Sequence, residues 1–364
     1  MAVPFLDLAC AYREISSELD EAYRRVMDSG WYVLGPEVEA FESEYADYCG
    51  TSHCLGISNG LDALHLLLRA NQIGAGDEVI VPSNTFIATW LAVTYTGAIP
   101  VAAEPVEGTY NLDVGQVSRK LTRNTKAIIP VHLYGQTADM DPINALAAGL
   151  GLIVIEDAAQ SQGARYKGRL SGSLGHAGAT SFYPGKNLGA FGDGGAVTTN
   201  DPDLAARLRN LRNYGSTVKY DHDQIGYNAR LDELQAAFLR VKLRHLDAWN
   251  ARRKAVADRY TAQLAGLPIV LPLVAPWAEP VWHLYVVRCT DRDRVQAELR
   301  RSGIQTLVHY PIPAHLQRCY AGYAAEGLQT TESVARELLS LPISPFMTEA
   351  DVDEVAAALR RAVE

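Results

Sequence analysis

The sequence predicts an α/β protein, with a large domain carrying a mainly parallel sheet covered by helices on both faces and a small α+β domain at the C-terminal end. Three observations lead there. From about residue 52 to 200, short β-rich runs alternate with Ala/Leu-rich helical stretches, the pattern of strands joined by helical crossovers. In the segment 231–267 apolar residues recur at helical spacing over an unusual length, ending at Gly266 and Pro268, which reads as one long helix joining two domains. The chain has 364 residues, more than the roughly 250–300 at which a single hydrophobic core stops growing. The expected division is 1–245 for the large domain and 246–364 for the small one, reached by a linking helix over 231–265.

Taken in order, residues 1–30 form a helical segment, with an amphipathic helix over 16–29, Ser16 or Ser17 as N-cap and Gly30 beyond its end. The segments DEVIVPS, GAIPVAAEP, TKAIIPVHLYG, LGLIVIEDAA, ATSFYPG and GAVTTN read as strands of the sheet. In such sheets ligands bind beyond the carboxyl ends of strands, and polar clusters stand there: Ser83-Asn84-Thr85, His132, Glu156-Asp157 and Tyr183 to Lys186. After the long helix come a β-rich run around WHLYVVRC, a helix RDRVQAELRRSG, the stretch IQTLVHYP and a closing helix from Glu349, a composition that suits a small α+β unit.

A formal net charge of −9 argues against a nucleic-acid or anionic-membrane footprint and leaves room only for a local basic pocket. Five scattered cysteines with no C-x-x-C pair suggest neither a disulfide framework nor a metal site, and fit a reducing cytoplasm. No uncharged stretch approaches the roughly 18 residues of a membrane helix, and the N-terminus lacks the pattern of a leader.

The chemistry concentrates between Val154 and Thr199. Asp157 ends a run of apolar strand residues, where a carboxylate is costly unless it meets a cation or donor. A protonated pyridine nitrogen, as in pyridoxal phosphate, is such a cation, and a carboxylate beside it keeps the ring an electron sink. Gln160 lies one helical turn along, suited to the ring's phenolic oxygen. Lys186 sits in the Pro/Gly turn SFYPGKNLG, where partial desolvation lowers its pKa and favours Schiff-base chemistry; the same amine, once freed, serves as the proton carrier. An isolated turn lysine is ordinarily only solvated surface, and the upstream aspartate is what reverses that reading. The cofactor's phosphate needs a cup, and Gly60-Leu61 opens a helix whose amides bind phosphate without particular side chains. Ser181 is a candidate hydroxyl for the same phosphate, and Phe86 a ring to stack on the pyridine. His309, Tyr310 and His315, flanking two prolines, are candidates for a substrate mouth. GDGG (192–195) reads as a glycine hairpin into the next strand rather than a phosphate loop.

In combination, FLDL, SGWYVLGPEVEAFE, PSNTFIAT, VHLYGQ, EDAAQSQGA, SFYPGKNLG, GDGGAV, GYNARLDELQAA and HYPIPAH resemble the DegT-type nucleotide-sugar aminotransferases over essentially the whole chain. The resemblance implies the aspartate-aminotransferase fold (pyridoxal-phosphate fold type I) with a seven-stranded type of sheet, pyridoxal 5'-phosphate as cofactor, and a cytoplasmic homodimer with shared active sites. By position, Asp157 binds the pyridine nitrogen, Gln160 the ring oxygen, Ser181 with the Gly60 and Leu61 amides the phosphate, and Lys186 the aldehyde carbon. Asn228 reaches the neighbouring subunit's phosphate. Tyr183, Lys219, Arg230, His309, Tyr310 and His315 are expected near sugar or diphosphate.

Two departures bear on substrate. Many relatives have Thr and His where this chain has Leu61 and Tyr183, and SFYPGKNLGAFGDGG resembles the branch that aminates C-3 of 6-deoxy sugars on dTDP. The expected reaction moves the amino group of L-glutamate, released as 2-oxoglutarate, to the C-3 keto group of a dTDP-3-keto-6-deoxyhexose in amino deoxysugar biosynthesis. The alternatives are amination at C-4 and a regulatory protein that keeps the fold. A sugar dehydratase of this fold carries His where Lys186 stands.

Overall fold

A computed structural model describes residues 3–323 and 327–364. Helices α1 (Ala9–Ser29) and α2 (Pro36–Cys49) precede the sheet. Then follow β1 (His53–Ile57), α3 (Gly60–Ala70), β2 (Glu78–Pro82), α4 (Ile87–Tyr95), β3 (Ile99–Ala103), α5 (Val114–Lys120), β4 (Thr125–Ile128), α6 (Met140–Leu150) and β5 (Ile153–Asp157). Two short strands, β6 (Arg165–Tyr166) and β7 (Arg169–Leu170), lead to β8 (Ala177–Ser181), β9 (Gly195–Thr199) and α7 (Pro202–Leu211). The long helix α8 (Glu233–Leu264) is followed by β10 (Ala278–Glu279), β11 (Tyr285–Arg288), α9 (Arg292–Arg301), α10 (Gln329–Glu337), β12 (Leu338–Leu341) and α11 (Glu349–Val363).

The main sheet has seven strands in the order β1-β9-β8-β5-β4-β2-β3. Every pair is parallel except those made by β9, which runs against both β1 and β8. Six of these strands therefore end on one edge, and β9 begins there. Near-continuous apolar runs such as Val79, Ile80 and Val81 are buried on both faces, as a sheet covered by helices requires. A separate apolar cluster unites α8 from Val256 onward with β11, α9, β12 and α11. Among the described residues, no helix is long and apolar enough to cross a membrane.

The first helix differs from expectation at its start. It begins at Ala9, whose N–H is accepted by the Asp7 carboxylate at 2.9 Å, so Ser16 and Ser17 are not its N-cap. Ile15 leaves helical geometry (φ −123°), so regular winding resumes only at Ser16. Gly30 closes it at φ 64°, the left-handed cap that glycine adopts without a Cβ penalty.

Three buried glutamates, none matched to Lys or Arg among the described residues, hold loops by collecting backbone N–H groups. Glu233, at the start of α8, accepts from Gly35, Glu37 and Val38 at 2.7–2.9 Å and so closes the N-terminus of α2. Glu156 accepts from Gly172, Leu174 and Gly175. Glu104 accepts from Thr330 and Thr331 at the start of α10, tying β3 to the C-terminal unit. Each such charged hydrogen bond contributes about 1.5–3 kcal/mol.

Candidate active site

The carboxyl ends of β1, β2, β5 and β8 meet on the edge where β9 begins, and each contributes one part of a site. Register explains the first part. Gly195 of β9 lies opposite Ile57 on one side and Ser181 on the other, so the chain leaving β1 crosses directly over it. A Cβ on Gly195 would stand 2.5 Å from the Asn59 carbonyl carbon, and a Cβ on Gly60 would stand 2.7 Å from Ser181 Cβ. Glycine at both positions lets the N-terminus of α3 settle against Ser181.

That N-terminus is half satisfied. Asn59 caps it, its side chain accepting from the Asp62 N–H at 2.8 Å, and the Ala63 N–H donates to the Asn59 carbonyl. Among the described residues, the N–H groups of Gly60 and Leu61 donate to nothing. Ser181 Oγ accepts from the Tyr183 N–H at 3.3 Å, which leaves its proton available. Two amides and a hydroxyl thus converge with no protein acceptor, the requirement of a phosphate cup. The side chain of Leu61 packs into the core and contributes only its backbone.

Asp157 closes β5 and is 6% exposed. Its Oδ2 accepts from Thr89 Oγ1 at 2.8 Å and its Oδ1 from the Ala159 N–H at 3.2 Å, while Thr85 and Thr89 share a hydrogen bond of 2.9 Å. Burial pushes the carboxyl up; the Thr89 hydroxyl and the Ala159 N–H, with Lys186 more remotely, pull it back. A ring nitrogen cation is the partner such a buried carboxylate lacks. Gln160, also buried, accepts from the Tyr134 N–H at 2.6 Å and donates to Tyr310 Oη at 3.1 Å. Tyr310 packs on Phe86 with ring centroids 5.2 Å apart, so Phe86, Gln160 and Asp157 frame one slot with Tyr310 at its wall.

Lys186 stands on the loop between the antiparallel strands β8 and β9. The loop is cinched by Phe182 N–H to the Gly194 carbonyl and Ala190 N–H to the Phe182 carbonyl, both 2.7 Å, and Phe182 anchors it among Phe41 and Tyr45. Asn187 next to the lysine donates to Asn250 of α8 and to the Val281 carbonyl, each at 2.9 Å. Desolvation lowers the lysine to about 8, partly opposed by Asp157. Among the described residues its ammonium has no hydrogen-bond or ion-pair partner. The amine is therefore held, unpaired and easily deprotonated, beside the Asp157 slot. The residues fit pyridoxal phosphate: an acceptor-free phosphate cup, a buried carboxylate for its nitrogen, and an amine for its aldehyde.

The remaining expected residues divide. His309 donates to or accepts from Ser340 Oγ at 2.8 Å, and burial followed by the Lys186 charge drops it to about 4, so it is neutral near Lys186. Tyr183 is exposed above the lysine turn, its carbonyl accepting from the Lys186 N–H at 2.8 Å. Arg230 donates to Asn213 at 3.1 Å and lies over Tyr214. Lys219 lies over Tyr220 on an exposed loop, and Asn228 is exposed, bridged by its backbone to Asn213, the residue Arg230 also contacts; no hydrogen bond or ion pair joins any of these three to Lys186. His315 is turned away, its Nε2 3.3 Å from Glu332 of α10.

His132 is a satisfied core residue. Its Nδ1 accepts from the Ala138 N–H at 3.1 Å, so its Nε2 carries the proton donated to Glu156 at 2.8 Å. Sequence reasoning missed Thr89, Asn187 and His283. Thr89 was detectable as one helical turn beyond Thr85, facing the same strand end. His283, 3.2 Å from Asn187 and held neutral by burial and by Lys186, comes from a segment nearly 100 positions away and gives no local signal.

Comparison with known proteins agrees with this geometry. The DegT/DnrJ/EryC1/StrS aminotransferase family matches residues 13–360. A dTDP-3-amino-3,4,6-trideoxy-alpha-D-glucose transaminase of Streptomyces venezuelae is 56% identical over 365 residues, covering 100% of this chain and 96% of the relative. The erythromycin biosynthesis sensory transduction protein EryC1 of Saccharopolyspora erythraea is 55% identical over 363 residues, covering 99% of each. The crystal structure of S. venezuelae DesV in complex with a ketimine intermediate superposes with a TM-score of 0.98 at 55% identity, covering 100% of this chain and 99% of that one. With the family matched over residues 13–360 and relatives more than half identical over the whole chain, the chain belongs to the DegT/DnrJ/EryC1/StrS aminotransferase family.

Proposed function

We propose that this pyridoxal-phosphate-dependent aminotransferase moves the amino group of L-glutamate to the C-3 keto group of a dTDP-3-keto-6-deoxyhexose, acting as a homodimer whose active sites draw on both subunits. The observation that carries the reading is the pairing of an unpartnered Lys186, brought to about 8, with a buried, twice hydrogen-bonded Asp157.

When bound, pyridoxal phosphate supplies the carbonyl that exchanges an amino group and a cationic ring that takes up the electron pair left when a carbon loses its proton. Asp157 keeps the ring nitrogen protonated, and Thr89 holds the carboxylate anionic and aimed. The Gly60 and Leu61 amides and Ser181 anchor the phosphate, and Phe86 and Gln160 fix the ring plane. Lys186 is the amine that would hold the aldehyde and that, as a free base, would carry the proton at the reacting carbon. L-Glutamate leaves as 2-oxoglutarate in the first half and the keto sugar gains nitrogen in the second. Both halves reuse one amine near neutral pH, which its lowered pKa suits.

The C-3 choice rests on Leu61 and Tyr183 together with the substrates named for the relatives. Asn228, which shares Asn213 with Arg230, is exposed on this subunit and makes no contact with its own Lys186, which supports its service to a neighbour's site. The name of the Saccharopolyspora relative describes sensory transduction; a purely regulatory role leaves Lys186 and Asp157 without a purpose.

Incubation with L-glutamate and a panel of 3-keto and 4-keto dTDP-sugars, with the new amine located by NMR, tests the reading. Nitrogen at C-3 is expected. Amination at C-4 alone overturns the regiochemistry, and no amino sugar from any of the keto sugars overturns the substrate class.

A further inference from the structure

A second polar region borders the lysine loop and shares Lys186 and Asn187 with the site described so far. A pocket lies between the N-terminal segment, the turn Pro184–Gly189, α8 and the turn at Pro345–Phe346. Two cations of α8 line it, Lys242 and Arg253, 5% and 4% exposed. They are eleven residues apart, three helical turns along one face. Neither meets a carboxylate among the described residues.

Lys242 donates to the Gly189 carbonyl at 2.6 Å and sits 3.6 Å from the centre of the Phe191 ring. Arg253 donates through one guanidinium nitrogen only, to the carbonyls of Trp282 and Ile343 at 3.3 and 3.2 Å. Its Nε and second terminal nitrogen donate to no described residue. Asp7, the acid on the cavity wall, is already engaged by the Ala9 N–H, Arg13 and the Cys10 thiol. Burial without a counter-ion lowers Lys242 to about 8 and Arg253 to about 10. In a chain of net charge −9, two buried cations on one cavity are a standing electrostatic cost that an anion would remove.

The walls define the anion further. Leu8, Trp249 and Phe346 are apolar and suit a short methylene chain, and Arg253 offers two adjacent N–H groups in the fork that carboxylates take bidentately. Lys186 lies on the same cavity, and His283 feels the charges of both Lys186 and Arg253. We propose that this cavity binds the distal carboxylate of a dicarboxylic amino donor, with Arg253 as its principal partner and Lys242 as a second cation, so that the donor's amino end points to Lys186. The assignment rests on the aminotransfer reading above and adds the donor's binding group to it.

The test compares L-glutamate with L-norvaline, which has the same chain length without the distal charge. The donor half-reaction is followed by cofactor absorbance in the wild type and in Arg253→Met, Arg253→Lys and Lys242→Met. Wild type should favour glutamate in kcat/KM by about 100-fold, in line with charged, bidentate recognition. Arg253→Met should bring the ratio close to one by slowing glutamate alone, and Arg253→Lys should restore part of it. General structural damage slows both donors and leaves the ratio standing, so a ratio preserved in Arg253→Met overturns the proposal. Calorimetric titration with glutarate gives a readout without turnover: wild type should bind it and Arg253→Met should not. Equal binding of inorganic phosphate, or none of glutarate, also overturns the site. Glutarate binding in a protein that transaminates no amino acid would instead remove the aminotransfer reading and leave the carboxylate site in place.

Discussion

The strand-end cluster and the loop from Tyr214 to Gly226 are built on opposite principles. Asp157, Ser181 and Gly60 are fixed by strand register, and their polar atoms are already engaged or aimed in the isolated chain. On the loop, Val218, Tyr220 and Ile225 are 64%, 86% and 89% exposed, and Lys219 rests on Tyr220 alone. Large apolar side chains left so open need a covering surface. The contrast teaches that the strand-end cluster is pre-organised by the sheet, whereas the loop leaves large apolar side chains exposed in the isolated chain.

The largest effect should come from the rigid region. Lys186→Ala should cut turnover on the order of 10³-fold or more, since it removes the proton carrier, and should abolish borohydride trapping of the cofactor on the protein. The wild-type amine offers a pH test. Only its neutral form attacks an aldehyde, so the rate at which cofactor-free protein captures pyridoxal phosphate should rise about tenfold per pH unit up to about 8 and then level off. A rate still climbing at pH 10 would show that the lysine is not desolvated as the loop geometry requires.

A smaller effect isolates the phosphate cup. Gly60→Ala places a Cβ 2.7 Å from Ser181 Cβ and must push α3 away from the strand. Cofactor affinity should drop about tenfold, near 1.4 kcal/mol, while the saturated enzyme keeps most of its turnover. Unchanged affinity would mean that the strand end yields and the cup is less rigid than its register suggests.

Thr89→Val sharpens the comparison inside the rigid region itself. The hydroxyl lowers the Asp157 pKa against the effect of burial, so its removal lets that pKa rise. Asp157 works as the anion; activity is present above its pKa and lost as pH falls through it, so the acid limb of the pH profile should move upward. A single lost hydrogen bond of about 1 kcal/mol predicts a decrease of roughly fivefold near neutrality, with protein stability nearly unaffected.

Where the sequence was legible, one local pattern sufficed. The strands of the sheet and the long helix announce themselves through uninterrupted apolar runs and helical spacing, and Asp157, Ser181 and Lys186 through polar residues placed directly after such runs. The start of α1 at Ala9 was hidden because its cap is Asp7, two positions before the helix, and because Ile15 breaks the spacing. Asn187 and His283 belong to the site through a contact across 96 positions, and Arg253 meets it only because α8 passes beneath the lysine loop. No periodicity encodes such meetings; the fold has to bring them about.

The smallest expected effect lies on the loop, and it decides whether the contrast is one of function as well as order. Lys219 is exposed, and among the described residues its ammonium meets only an exposed ring 5.0 Å away, so Lys219→Ala should leave stability and the glutamate half-reaction untouched. If the loop takes up a diphosphate, the variant should raise KM for the nucleotide sugar about three- to fivefold at low ionic strength. The difference should shrink as salt approaches physiological strength, where the screening length is about 8 Å. A KM effect that persists undiminished at high salt would indicate a desolvated contact and hence a loop closed over the sugar. An effect on the glutamate half-reaction would place Lys219 in the rigid region, and the division drawn between the two would fail.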